Sequence, residues 1–161
     1  MPNKPMLKRF TAEEQQHNER LARLEYGPDT VNESVQRWKS YTEDQREAIL
    51  EEGDAIYADM AQALEDGLAP NDDRVSLILA RWHEHIRHFY EPTLEILQGL
   101  GYTYANNPEF RANFTRIHAD LPDYLHEAID MYVDELETEA LETEALETMM
   151  AEDDARVNRL S

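Results

Sequence analysis

The chain contains no cysteine among its 161 residues. This absence excludes disulfides, thiolate metal sites and thiol nucleophiles together. Basic side chains are also scarce, since 15 Lys and Arg stand against 35 Asp and Glu and leave a formal net charge of −20. A surface this acidic repels phosphate, so we expect no direct contact between this chain and nucleic acid.

Long hydrophobic runs are missing as well. Apolar stretches stay well below the roughly 20 residues that a transmembrane helix needs, so we expect no membrane partner. The N-terminus, MPNKPMLKRF, lacks the apolar segment of a secretory signal, which favours a cytoplasmic protein. Serine is rare, and none of the four lies in the aromatic region described below: Ser34, Ser40, Ser76 and Ser161. Without a thiol or a well-placed hydroxyl nucleophile, the sequence predicts a non-enzymatic protein with no catalytic residues.

Hydrophobic residues recur with helical spacing along most of the chain, and no segment alternates like a strand. We therefore predict an all-α fold of six to seven helices. Thr11 with Glu14, and Thr42 with Gln45, have the spacing of capping boxes. The first of these predicts a helix over residues 11–25. Pro28 suits the first turn of the next helix.

Two positions are expected to interrupt helices. Pro92 removes a backbone donor and ends or kinks the preceding helix near Tyr90. Gly99 and Gly101 flank Leu100 after a short helical turn over residues 94–98. This pair predicts either a sharp turn or a close backbone approach.

The chain divides into three expected regions. Residues 1–40 form an N-terminal helical lid, because the first helix offers only Leu21 and Leu24 to a core. Residues 41–133 form a helical ligand-binding core. Residues 134–161 form an acidic tail, helical or disordered, in which LETEA recurs from Leu136 and Leu141. Leucines five apart advance about 140° around a helix and form no apolar stripe, which favours a solvated tail over a docking segment.

Aromatic residues concentrate between positions 82 and 132. The chain has 2 Trp, 8 Tyr and 4 Phe, and nine of these lie here: Trp82, Phe89, Tyr90, Tyr102, Tyr104, Phe110, Phe114, Tyr124 and Tyr132. Tyrosine suits a surface that is apolar at one end and wet at the other. Two interpretations follow, an ordinary core or the wall of a ligand cavity. Trp38, at the end of a weakly anchored amphipathic helix, is placed to fold over such a cavity as a lid.

The order of these residues resembles a known family. Leu100-Gly101-x-x-Tyr104, Phe110 and the segment Tyr124-Leu125-x-x-Ala128-Ile129-x-x-Tyr132 follow one another as in the TipAS antibiotic-recognition domain. Upstream, Tyr26-Gly27-x4-Asn32-Glu33-x3-Arg37-Trp38 resembles the family's acidic helix that ends in Arg-Trp. The resemblance covers about residues 10–133. This domain occurs at the C-terminus of thiopeptide-responsive MerR-type activators and as a free-standing drug-binding protein.

The resemblance implies a globin-like helical packing and a small-molecule antibiotic as the partner. Family members that capture thiopeptides have a cysteine immediately before the Leu-Gly pair, and here that position is Gly99. The expected function is therefore non-covalent binding of bulky, largely apolar peptidic or polycyclic antibiotics, for sequestration or effector sensing. The predicted ligand-binding residues are Trp38, Tyr57, Trp82, His85, Phe89, Tyr90, Gly99, Tyr102, Tyr104 and Phe110.

Three alternatives remain. The chain can be the effector-domain fragment of a MerR-type transcriptional activator. It can be an interaction module that uses the acidic tail. The third alternative, a metal-dependent helical enzyme, rests on His85, His88 and Glu91, which are spaced three apart in a segment (HEHIRH) that does not match the HExxH zinc motif. Such spacings are common in acidic helices, so we expect neither metal nor cofactor. The drug and the oligomeric state are not determined by the sequence.

Overall fold

The computed structural model describes residues 27–160. They form six α-helices: α1 (Pro28–Ser40), α2 (Glu43–Glu65), α3 (Asp73–Ile86), α4 (Leu94–Asn106), α5 (Pro108–Thr115) and α6 (Leu121–Leu160). The described residues contain no strand, and the predicted all-α class is confirmed. The helix predicted over residues 11–25 lies outside the described part of the chain.

Local sequence determines where several helices begin. At the start of α2, the Thr42 hydroxyl accepts from the Gln45 backbone at 3.1 Å, and the Gln45 side chain accepts from the Thr42 backbone at 2.9 Å. This confirms the predicted capping box. Asp72 caps α3 by accepting from the backbone N–H of Arg74. Pro28 occupies the first turn of α1, as predicted.

The N-terminal half of α6 is the central helix of the domain. It packs against α2, α3, α4 and α5, and its inner residues are inaccessible to solvent. The largest fully buried side chains come from every helix except α1: Ile56, Met60, Val75, Leu79, Trp82, Leu97, Phe114, Leu121, Pro122, Leu125, Ile129 and Val133. One continuous core therefore holds α2 to α6 together. The globin-like arrangement of these helices stays an expectation.

The predicted sharp turn at residues 99–101 is wrong, because α4 continues through both glycines to Asn106. The alternative, a close approach, is confirmed at Gly101. A Cβ atom added there would lie 3.0 Å from Cγ2 of Ile129, a central residue of α6. The contact between α4 and α6 outweighs the low helix propensity of glycine.

The helix before Pro92 ends at Ile86, earlier than Tyr90, and passes into a turn over residues 87–89. We call residues 87–89 the α3 turn. Its backbone N–H groups return to the last carbonyls of α3, for example from Phe89 to Ile86 at 3.0 Å. Tightened i→i+3 bonds of this kind satisfy carbonyls that a helix end leaves open.

The acidic tail is the continuation of α6. Every described side chain from residue 137 onward is exposed. Leucines spaced five apart leave no stripe to bury, and Glu, Ala and Leu favour helix without tertiary support. Within residues 27–160, no helix combines the length and the apolarity that crossing a membrane requires.

Candidate ligand-binding groove

A groove of about 700 Å³ lies between α4 and α6. Its lining is mixed in character: Thr93, Glu95, Ile96, Gln98, Gly99, Tyr102, His126 and Asp130. A volume of about 300–1,000 Å³ is usual for small-molecule sites. The groove is therefore large enough to hold part of a bulky organic ligand.

Helical spacing places the groove residues. Gly99 and Tyr102 are three apart on α4, and His126 and Asp130 are four apart on α6, so each pair shares one face of its helix. Gly101 brings the two helices together at Ile129. The groove opens beside this contact, with Tyr102 on one wall and His126 on the other.

The two walls touch through aromatic rings. The Tyr102 and His126 rings meet edge to face with centroids 5.8 Å apart. His126 Nε2 lies 3.4 Å from Asp130 Oδ2. Tyr102 keeps 57% of its surface exposed, which is unusual for a large aromatic side chain and leaves its ring available to a ligand.

The groove is rich in hydrogen-bond acceptors. Glu95 and Asp130 bring carboxylates, and Gln98 and Thr93 bring neutral polar groups. Asp130 Oδ1 is buried without a hydrogen-bond partner among the described residues. A buried acceptor without a partner costs free energy, so a donor that reaches it would be stabilising. The chemistry of the groove suits a ligand with N–H or O–H donors beside an apolar face.

Of the ten predicted ligand-binding residues, the structure places Gly99 and Tyr102 in this groove. The other eight lie in two other places, the core and the surface under α1. Tyr57, Trp82 and Tyr104 are buried in the core, where Phe110 and Tyr90 pack against them partly exposed. Trp38, His85 and Phe89 meet where α1 crosses the end of α3.

The buried aromatics form a polar pair within the core. The Tyr57 and Tyr104 hydroxyls lie 3.3 Å apart, and both rings pack edge-on or tilted against Phe114. Burial raises the pKa of both tyrosines, so both stay neutral. Trp82 has no exposed surface. These residues support the groove helices from behind.

Helix α1 rests on the α3 turn. The Trp38 ring stacks on Phe89 with centroids 5.7 Å apart and an interplanar angle of 23°. Arg37 Nη1 donates to the Arg87 carbonyl at 2.6 Å, and the Tyr41 hydroxyl donates to the His88 carbonyl at 2.5 Å. Trp38 thus covers Phe89, and it is not among the residues that line the groove.

The groove residues on α6 were not predicted from the sequence. His126 and Asp130 stand on the polar side of a helix whose apolar face was evident, so they resembled ordinary solvated residues. Their spacing of four would have marked them as neighbours. Only the position of α4 shows that this face borders a groove.

Comparison with known proteins gives one family and two kinds of relative. The sequence profile of the TipAS antibiotic-recognition domain matches residues 10–132. The HTH-type transcriptional activator mta of Bacillus subtilis (strain 168) is 30% identical over 113 residues, which cover 70% of this chain and 43% of the relative. The HTH-type transcriptional regulator SkgA of Caulobacter vibrioides is 30% identical over 134 residues, covering 80% of this chain and 52% of the relative. The chain thus spans about half the length of these relatives. No solved structure matches it significantly.

Proposed function

The chain belongs to the TipAS antibiotic-recognition domain family, and we propose that it binds bulky antibiotics reversibly in the groove between α4 and α6. The role is that of a ligand-binding domain without catalysis, acting in the cytoplasm. Its ligand is a peptidic or polycyclic compound with a large apolar face and several hydrogen-bond donors.

The position of Gly99 carries this proposal. In the resemblance drawn from the sequence, this is the position at which capturing members of the family hold their cysteine. Gly99 lines the groove. That the position implied by the resemblance lies in the groove supports the groove as the binding site. Because the chain has no cysteine at all, the drug is held here by burial and hydrogen bonds alone.

Tyr102 supplies the largest apolar contact. Covering about 100 Å² of its exposed ring would contribute about 2.5 kcal/mol at the usual 25 cal/mol per Å², before ordering costs are subtracted. Glu95 and Asp130 accept from donors at the edge of the same ligand. A groove with both kinds of contact selects for amphipathic compounds over purely apolar ones.

We propose that residues 1–40 serve as a lid that docks on the α3 turn, outside the groove, and that this docking changes on binding. Val31 is the only described α1 side chain that is buried, so α1 has little apolar area with which to offset the entropy of ordering. A segment of such low stability can shift its population when a ligand orders its surroundings. This property serves sequestration and effector sensing alike.

The relatives favour sensing as the biological use. Both are HTH-type transcriptional regulators, and each is matched over about half of its length. With a net charge of −20, this chain is unsuited to binding DNA itself. A sensing role therefore requires that another polypeptide segment contacts DNA. Sequestration requires no such segment.

The test compares Tyr102→Ala with a matched control, Leu77→Ala. Leu77 is exposed to a similar degree, 69% against 57%, and lies outside the groove. We expect Tyr102→Ala to weaken the affinity for a thiopeptide at least tenfold in calorimetric titration, with little loss of stability. Leu77→Ala should bind as the wild type does. Equal affinities in all three proteins would refute the groove as the site.

A second variant tests the position of the drug. Gly99→Cys restores the thiol, whose sulfur adds across the C=C bond of a dehydroalanine in the drug while the proton passes to the α-carbon. We expect the variant's mass to rise by that of one thiopeptide, while the wild type remains unmodified under denaturing conditions. A Gly99→Cys protein that binds the drug without forming an adduct would show that the drug sits elsewhere.

A further inference from the structure

Three potential metal ligands converge under α1. Glu52 comes from α2, His85 from the last turn of α3 and His88 from the α3 turn. Their ligand atoms all lie within 4.8 Å of one another. Glu52 Oε1 is 2.9 Å from His85 Nδ1 and 3.5 Å from His88 Nε2. We call these three residues the Glu-His-His cluster.

A glycine makes this convergence possible. A Cβ atom at Gly53 would lie 3.0 Å from Nε2 of His85. The missing side chain lets the Nε2–Cε1 edge of the imidazole approach α2, while Nδ1 faces Glu52. His85 itself is almost fully buried, with 6% of its surface exposed. Its orientation is therefore set by the packing of α2 against α3.

We propose that the Glu-His-His cluster binds a divalent transition-metal ion of the Zn²⁺ class. Two imidazole nitrogens and one carboxylate oxygen are a usual ligand set for such ions. Bonds of about 2.0–2.1 Å in a tetrahedral site place neighbouring ligand atoms roughly 3.3 Å apart. The two distances from Glu52 Oε1 already bracket this value. Glu52 and His88 are partly exposed, so solvent can complete the coordination.

An ion would not have to compete with Arg87 for the cluster. The adjacent cation, Arg87, does not occupy the cluster, because its guanidinium pairs with Glu84 and with Glu91, the latter at 3.2 Å.

The structure also replaces one residue of the sequence pattern. The spacing of His85, His88 and Glu91 in the sequence suggested Glu91 as the third ligand, but Glu91 turns towards Arg87. Glu52, distant in the sequence and on another helix, takes that place. Because the ligands come from α2 and from the end of α3, a bound ion would link these two parts of the chain. Ligands on a single helix would not provide such a link.

The α3 turn connects this site to the lid. His88 is a ligand through its side chain, and its carbonyl accepts from the Tyr41 hydroxyl at 2.5 Å. Phe89, the next residue, carries the stacked Trp38 ring. An ion that fixes His88 to α2 therefore fixes the surface on which α1 rests. Metal binding is expected to favour the docked lid by mass action.

The experiment titrates Zn²⁺ into the whole protein by calorimetry and records the visible absorption of the Co²⁺ form. We expect one ion per chain and a Co²⁺ spectrum of nitrogen and oxygen ligation. His88→Gln and Glu52→Gln should each weaken binding at least tenfold. The matched controls, His83→Gln and Glu91→Gln, lie on the same segment outside the cluster and should bind as the wild type does.

Two results would overturn the proposal. One is the absence of stoichiometric binding by the wild type. The other is undiminished binding in His88→Gln and Glu52→Gln. If truncation after Glu139 then removes the binding, the ion belongs to the acidic end of α6. Hydrogen exchange gives a further readout, because Zn²⁺ should slow the exchange of residues 28–40 in the wild type and not in His88→Gln. Unchanged exchange in the ion-bound wild type would refute the connection to the lid.

Discussion

Replacing Gly101 by alanine inserts a methyl group between α4 and α6. The added carbon would lie 3.0 Å from Cγ2 and 3.1 Å from Cβ of Ile129. Cβ of Ile129 is fixed to the α6 backbone, so the clash cannot be relieved by a rotamer change alone. The two helices must separate by a few tenths of an ångström, or Ile129 must shift within a core where it has no exposed surface.

Two opposing terms determine the result. Alanine in a helix interior is favoured over glycine by about 1 kcal/mol. Overpacking a close-packed core costs about 1–3 kcal/mol. The net change should be a loss of about 1 kcal/mol in the free energy of unfolding, with a fall of about 3 °C in Tm for a domain of this size. Urea unfolding followed by circular dichroism measures both terms together.

A double-mutant cycle with Ile129→Ala separates the two terms. Ile129→Ala removes Cγ1, Cγ2 and Cδ1 but keeps Cβ, which lies 3.1 Å from the added carbon. Gly101→Ala should therefore cost less in that background by the part of the overpacking that Cγ2 and Cδ1 cause. Ile129→Ala alone costs about 2–5 kcal/mol, which sets the baseline. If Gly101→Ala stabilises the otherwise wild-type protein by about 1 kcal/mol, only helix propensity is acting and the inferred contact is wrong.

Three further predictions concern the core, the buried histidine and the long helix. Tyr57→Phe or Tyr104→Phe alone should lower the free energy of unfolding by about 1–2 kcal/mol, because each leaves one buried hydroxyl unpaired. In chemical unfolding, the double variant should lose less than the sum of the two single variants. Burial lowers the pKa of His85 in the folded state, so the unfolded state binds the proton more tightly. In metal-free protein, the contribution of His85 to stability is full above its unfolded pKa near 6.5 and is lost as the pH falls below that value. His85→Gln should therefore flatten the dependence of the unfolding free energy on pH. Truncation after Glu139 should leave drug affinity and Tm unchanged in thermal-shift titration, since the described residues beyond it are all exposed; a large loss of affinity would show that the acidic segment contacts the ligand.

Features governed by local chemistry could be predicted from the sequence. The capping box at Thr42 and the proline at the start of α1 depend on neighbours within a few residues. The helical identity of the long periodic segments follows from the same kind of information. The path through Gly99 and Gly101 was ambiguous, because two glycines favour a turn locally and only the contact with α6 decides for a continuous helix.

Features governed by contacts between distant residues could not be predicted. Tyr57 and Tyr104 are 47 residues apart, and their hydroxyls meet only because α2 and α4 pack against one core. Glu52 joins His85 across 33 residues for a similar reason. Aromatic composition alone cannot distinguish the buried Tyr104 from the exposed Tyr102, although they are two residues apart. The two tyrosines lie on opposite faces of α4, and only the packing of α4 decides which face is buried.

The length of α6 gives it the properties of a lever arm. Asp130, on the groove wall, stands about 45 Å from the C-terminal end of this helix at a rise of 1.5 Å per residue. A tilt of about 5° at the groove would therefore displace that end by about 4 Å, which is roughly three quarters of the 5.4 Å pitch of the helix. A small tilt of α6 at the groove would therefore become a displacement of side-chain size at the exposed end of this helix.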